Sequence, residues 1–338
     1  MIAKVFKYNI LPIVVNLGLE KLLQLTGKGH IVNLFYHGVV EKDSTHIFQR
    51  HINTIEFEKQ IRYISRTFDI IPLEEAFNIY QKKKKVNHKL VTISFDDGYQ
   101  NNLTQAIPIL ETYNAFTTFF ISGICSENKH VLLWADVVAI CRFISENDFV
   151  EIEGIRYKKS GRYDLINSEN NLSAFYYLKH LSVERRDQII GEMYSKYNLS
   201  ENLLKIPHEI YRLMSAEEIA TLSQSRIAAI GSHGYSHFNL ANIDYNEAKF
   251  ELEKSKSVLE EIIKREVDSV AFPDGNYNDE IKALAMAVGY KKLIAVDYQC
   301  ASDFQDIHIL NRFGIPSTTT YEVVAAVINN SFRKYSFA

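Results

Sequence analysis

Between residues 31 and 313 the chain alternates short apolar runs with longer segments of helical period, and that alternation restricts the fold more than any other feature. The runs at 31–36, 90–95, 116–121, 227–230, 269–272, 293–296 and 309–313 are strand-length and apolar on successive positions. Such runs suit strands buried on both faces. Between them, Phe57, Ile61, Ile64 and Phe68 recur at helical spacing. So do Ala248, Leu252, Ser255 and Leu259, and then Ile281, Leu284, Ala285 and Val288. Strands alternating with one-sided helices give an α/β chain, either a parallel sheet or a barrel with helices outside. With 338 residues, 46% of them hydrophobic, one enlarged domain has enough apolar surface for a large core.

The alternation lapses at about 123–215, where polar, Tyr-rich sequence with less regular helical patterning reads as a mainly helical insertion in a barrel spanning 30–338. Residues 1–29 read as a leader forming an amphipathic helix, with Leu11, Val15, Leu19 and Leu22 on one side. Pro12, Asn16 and Gly18 interrupt its apolar stretch and Glu20 and Lys21 follow at once, unlike an export signal. The leader is therefore expected to allow peripheral membrane contact, and the protein is expected in the cytoplasm or at the inner membrane surface. No stretch is long and apolar enough to span a bilayer. Three scattered cysteines, Cys125, Cys141 and Cys300, form neither a disulfide framework nor a CxxC site. A net charge of -3, with Lys82 to Lys85 as the only basic run, argues against nucleic acid as a partner.

Two segments carry chemistry. In VTISFDDGYQNN (91–102) an apolar run ends in two acids and a glycine, which sets Asp96 and Asp97 at the C-terminal end of a buried strand. In barrels and open α/β sheets active sites are built there. Side chains on an extended strand point alternately, so the two carboxyls are expected to take different roles. Taken alone the segment also fits a DDG turn. In AAIGSHGYSHFNL (228–240) another run ends at Gly231, and His233 and His237 stand four residues apart. On a helical turn that spacing puts both imidazoles on one face, within reach of one divalent ion. Histidines at this spacing are also common on surfaces. Two strand ends each finishing in metal-competent residues are more specific than either alone.

The segments ISFDDG and SHGYSH, in this order, resemble the first two motifs of the polysaccharide deacetylases, carbohydrate esterase family 4, with NodB homology. The similarity extends to LFYHGV near 35, FEKQIRYI, VAFPDGNYN at 270–278 and LNRFGIP at 310–316. It implies a distorted, TIM-like (β/α) barrel of 7 or 8 strands and a hydrolase of non-peptide carbon–nitrogen bonds. Its substrate would be an N-acetylated or O-acetylated carbohydrate. Carried over by position, Asp97, His233 and His237 would hold a divalent metal, zinc first, with cobalt or nickel as alternatives. Metal-bound water would attack the acetyl carbonyl, with Asp96 as general base.

The third motif departs from the family, which places an Arg and a Pro-aromatic pair where this chain has Ala271, Phe272, Pro273 and Asp274. The backbone N–H of Asp274 is a candidate oxyanion donor, with a turn acid before Gly275 as the alternative. From its position on the last strand-like segment, Arg312 is the candidate to replace the missing cation and hold Asp96 ionised. For the late histidine that the family uses as general acid, His308 stands near the place, and His37 at the end of the first strand is its rival. Trp134, the only tryptophan, sits among Leu132, Leu133 and Val137 and reads as core or as a sugar platform. Two other functions remain compatible with the residues: hydrolysis of a non-sugar amide or imide, and glycan binding without turnover on the same fold.

Overall fold

The computed structural model describes residues 29–41, 47–48, 50–127, 132–161 and 163–329. The leader helix expected before Gly29 lies outside the described residues. The chain opens with β1 (Ile31–Tyr36), β2 (Gly38–Val40) and β3 (His51–Asn53), followed by α1 (Thr54–Thr67), β4 (Asp69–Ile70), α2 (Leu73–Gln81) and β5 (Leu90–Phe95). Next come α3 (Ile107–Thr112) and β6 (Thr117–Ile121), and then α4 (Trp134–Ile144) with β7 (Phe149–Ile152), β8 (Ile155–Ser160) and β9 (Asp164–Asn167). The helices α5 (Ala174–Lys179), α6 (Val183–Lys196) and α7 (Ala216–Leu222) lead to β10 (Ala228–Ser232). Last come α8 (Tyr245–Ile263), β11 (Ser269–Ala271), α9 (Asp279–Val288), β12 (Lys292–Ala295), β13 (Ile309–Asn311), β14 (Phe313–Gly314) and α10 (Tyr321–Ile328).

The main sheet is parallel throughout, in the order β13-β12-β11-β10-β6-β5-β1-β14, with β4 added beside β5. β13 pairs with β12 while β14 pairs with β1, and only Arg312 separates them. One kinked segment thus bridges the two edges of the sheet and nearly closes an eight-stranded barrel flanked by helices. The side-chain amide of Asn33 on β1 donates to the Asn311 carbonyl at 2.9 Å across the same seam.

Local chemistry explains why the helices begin and end where they do. Asn53 caps α1 by accepting from the Ile55 N–H, and its buried Phe57, Ile61 and Ile64 follow the helical period. Each such side chain contributes roughly 1.5–3 kcal/mol of burial free energy. Asp244 and Glu247 form a reciprocal capping box at the start of α8. α9 starts on Asn278 and stops at Gly289, whose φ of 106° no side chain adopts without strain.

The stretch between β6 and β10 contains helices as expected and also an antiparallel sheet that the sequence did not suggest, β7-β8-β9. Its first turn is Glu153-Gly154, with φ of 51° and 77°. Both central residues are left-handed, as a tight hairpin requires, but the pair lacks the usual Asn-Gly signature. This stretch has its own core, in which Trp134, Val137, Ile140, Val150, Leu165 and Ile189 are buried. Trp134 is 7% exposed. Among the described residues, no helix is long and apolar enough to cross a membrane.

Candidate active site

The residues that carry chemistry converge at the C-terminal ends of the barrel strands. His37 follows β1, Asp96 and Asp97 follow β5, His233 follows β10, Asp274 lies just past β11, and Arg312 sits between β13 and β14. All six except Arg312 line one cleft of about 560 Å³. Asp97, His233 and His237 each offer a ligand atom within 4.8 Å of the others, and all three are buried.

The two acids do not diverge as an extended strand would make them. The Asp96 N–H still donates to the Tyr36 carbonyl at 3.0 Å, continuing the sheet, but Asp97 turns left-handed with φ of 76°. That turn brings both carboxylates to one histidine: His233 Nε2 lies 4.0 Å from Asp96 Oδ2 and 3.5 Å from Asp97 Oδ1. A left-handed aspartate costs backbone energy, and such strain persists where the surroundings fix it. Here the Asp97 carbonyl accepts from Ser122 N–H at 3.4 Å, and Gly98 follows with φ of 91°.

The histidine pair also departs from expectation, because residues 233–237 form an irregular loop and not a helical turn. Gly234 and His237 take φ of 72° and 56°, which breaks any helix. The loop folds instead around one carboxylate. Glu251 Oε2, buried on α8, accepts from the N–H of Tyr235 at 2.9 Å and of Ser236 at 2.7 Å. The imidazoles of His233 and His237 end edge-to-face, with centroids 5.0 Å apart.

Whether these residues fit a cation can be judged from their unused atoms. His233 Nδ1 donates to the Ala271 carbonyl at 2.8 Å; a carbonyl only accepts, so Nε2 is left with its lone pair facing the cluster. Both oxygens of Asp97 are buried with no hydrogen-bond donor, and His237 Nε2 lies 3.2 Å from one of them. A buried carboxylate beside two imidazoles is a donor set suited to a divalent ion. The charges agree. Burial favours a neutral Asp97, but the His237 ring beside it holds its carboxyl well below the usual range. Burial lowers His233 and so favours the neutral, ligating form.

Asp96 is held differently. Arg312, 2% exposed, grips it with two hydrogen bonds, from Nη1 to Oδ1 at 2.7 Å and from Nη2 to Oδ2 at 2.8 Å. Nη1 also donates to Ser94 Oγ at 3.1 Å, and the guanidinium lies over the rings of Phe35 at 4.4 Å and Phe120 at 5.2 Å. Against burial, which raises it, the Arg312 charge keeps the Asp96 carboxyl below its ordinary value. A planar fork matched to both carboxylate oxygens fixes direction as well as charge.

His37 lines the cleft and its pKa is lowered, chiefly by desolvation, against the pull of Asp97 and Asp96. Asp274 stands on the rim with φ of 61°, its carboxylate 3.0 Å from Lys179 Nζ. His308 is not brought to the cluster. It precedes β13, at the strand's N-terminal end, and its Nδ1 lies 3.3 Å from the Lys291 carbonyl. Its place in sequence near Arg312 misleads because a strand separates the two ends of the barrel.

Four contributors, Arg50, Asp136, Lys179 and Tyr176, carried no sequence signal. Arg50 approaches Asp97 at 3.7 Å and Asp136 at 3.3 Å, and donates to Tyr99 Oη at 3.0 Å. Tyr99 in turn donates to Asp136 Oδ2 at 2.9 Å, while burial pushes Asp136 up to about 6. Lys179 and Tyr176 reach the cleft from α5. None of these four sits in a motif, and only long-range pairing assembles them.

A family model described as polysaccharide deacetylase matches residues 83–152 and 163–293. A Bacillus subtilis protein, YxkH, named as a polysaccharide deacetylase, is 20% identical over 280 residues, covering 82% of this chain and 69% of its own. The Streptococcus pyogenes deacetylase PplD, solved with acetate, superposes with a TM-score of 0.56 at 15% identity, covering 89% of this chain and 99% of its own. IcaB from Ammonifex degensii gives 0.53 at 14% identity, over 90% and 98%. At these identities the two solved structures speak for the fold.

Proposed function

The chain belongs to the polysaccharide deacetylase family, whose members hydrolyse acetyl amide or ester bonds on carbohydrates, and we propose from that premise that it does so with a divalent ion held by Asp97, His233 and His237. The family generally uses such an ion, and zinc suits two imidazoles and a carboxylate, with cobalt or nickel as alternatives. When bound, the ion would supply Lewis acidity, polarising the acetyl carbonyl and acidifying the attacking water.

The chain's own residues divide the remaining work. Asp96, kept ionised and aimed by Arg312, takes a proton from the water as it attacks. The N–H of Asp274, on the rim of the same cleft, donates in this reading to the oxyanion that develops on the acetyl oxygen. His37, which lines the same cleft, hands a proton to the departing amine or alcohol. His308, at the other end of the barrel, has no part in this assignment.

The observation that carries this reading is the buried Asp97 carboxylate, whose Oδ1 lies 3.5 Å from His233 Nε2 and 3.2 Å from His237 Nε2. The test is metal content together with turnover. Wild-type protein is expected to hold one ion per chain, His233→Ala to lose it, and Asp96→Asn to keep it while losing acetate release. A full equivalent of metal in His233→Ala would overturn the ligand assignment. Glycan binding without turnover by both wild type and Asp96→Asn would favour a binding protein.

A further inference from the structure

The insertion between β6 and β10 is fastened to the barrel rim on both sides of the Asp97–His233–His237 group. On the side of β2 and β3, Val40, Ile47 and Phe48 are buried in the insertion's own core. There Tyr99 donates to Asp136 of α4 at 2.9 Å, and His51 Nε2 donates to the Ile210 carbonyl at 2.7 Å. On the side of β10 and β11, the buried guanidinium of Arg186 on α6 packs 3.6 Å over the ring of Phe238, next to His237. Asn242 donates to the Lys179 carbonyl at 3.2 Å, and Lys179 Nζ meets Asp274 at 3.0 Å.

Lys179 belongs to the insertion and Asp274 to the barrel, and both line the cleft, so their ion pair ties insertion to barrel at its edge. A polymer lying along an open groove needs an exit at each end, and here the insertion meets the barrel on both flanks of the metal-competent group, through Tyr99–Asp136 and Lys179–Asp274. What remains is about 560 Å³, within the range that takes one small ligand. Tyr176, 54% exposed, stands at this wall with its ring 4.2 Å from that of His180, and offers an aromatic face of the kind on which sugar rings stack.

We infer that the cleft is a blind pocket entered end-on, and that the substrate is an acetylated sugar at a chain terminus or in a short saccharide, not one in the interior of a polymer. Lys179 and Tyr176 are its specificity-determining residues. This rests on the deacetylase reading above.

The test uses metal-loaded full-length protein and N-acetylglucosamine oligomers from the monosaccharide to the hexamer, with acetate release measured and the deacetylated residue located by tandem mass spectrometry. Wild type is expected to act on the terminal residue, with kcat/KM level beyond the dimer. Lys179→Ala opens the wall, and the ratio of interior to terminal products is expected to rise roughly tenfold. Tyr176→Ala is expected to raise KM with kcat nearly unchanged, a split that general loss of fold does not produce. Interior deacetylation by wild type, kcat/KM climbing with each added sugar, or an unchanged product ratio in Lys179→Ala would overturn the end-on mode. Hydrolysis of 4-nitrophenyl acetate with no acetate from any saccharide would instead overturn the carbohydrate reading beneath it.

Discussion

Replacing Arg312 by Met keeps most of the side chain's bulk between Phe35 and Phe120 but removes both hydrogen bonds to Asp96. Asp96 is 3% exposed, so its carboxylate would be left buried and without its principal counter-charge. Breaking one side of a buried pair costs about 3–5 kcal/mol if the remaining charge persists, and the group escapes that cost by binding a proton. The sign of the pH effect follows. Arg312 lowers the wild-type Asp96 pKa, so the base is ionised at neutral pH, and the acid limb of kcat/KM attributable to it lies below the ordinary carboxylate range. In Arg312→Met burial, which raises the pKa, is opposed only by His233 and His37, so the limb should move up and the rate at pH 7 should fall. Loss of a positioned general base is worth roughly 10²–10⁴-fold, the expected drop in kcat/KM at neutral pH. Arg312→Lys, which keeps the charge but not the two-pronged geometry, is expected to fall between the two. The assay is acetate release across pH 4 to 9 with metal content measured alongside. A variant within threefold of wild type, with an unmoved acid limb and full metal, would refute the role given to Arg312.

Two further perturbations test how the site is supported. Burial, and then the charge of Arg50, lowers His51 to about 3, whereas the unfolded chain takes up its proton near 6.5, so stability should fall as pH drops from about 6.5 towards 3, by about 1.4 kcal/mol per unit. Urea unfolding of wild type and His51→Gln at pH 7 and pH 5 should show a shallower pH dependence in the variant, and parallel dependences would contradict the assignment. Glu251→Ala removes the acceptor around which the 233–237 loop folds and is expected to weaken metal affinity by about 10–100-fold, with Glu251→Gln retaining most of it. Chelator competition reads the affinity, and an unchanged value in Glu251→Ala would show that the loop holds its shape without that carboxylate.

The barrel was legible because its strands are continuous apolar runs and its helices keep a clean period, both local properties of the chain. β2, β3 and β4 were missed because two or three residues are too few to show a pattern. The clustering of Asp96, Asp97, His233 and His237 was legible from two short motifs at strand ends. Their geometry was not, because alternation along a strand and periodicity on a helix both assume regular backbone, and left-handed turns at Asp97, Gly234 and His237 break it. Arg312 was reached from its place on the last strand-like segment, although nothing in the sequence announces the kink that lets β13 and β14 serve opposite edges of the sheet. Arg50, Asp136 and Lys179 were invisible because each owes its place to a partner far along the chain, across the insertion.

The central claim is that Asp97, His233 and His237 hold the ion on which carbohydrate deacetylation depends. Its most direct test is acetate release from short N-acetylglucosamine oligomers by protein stripped of metal and then supplied with zinc, cobalt or nickel. Acetate should be absent from the stripped protein and return as one equivalent of metal is restored. Acetate release that survives stripping, or none at all from protein carrying one bound ion, would contradict the account.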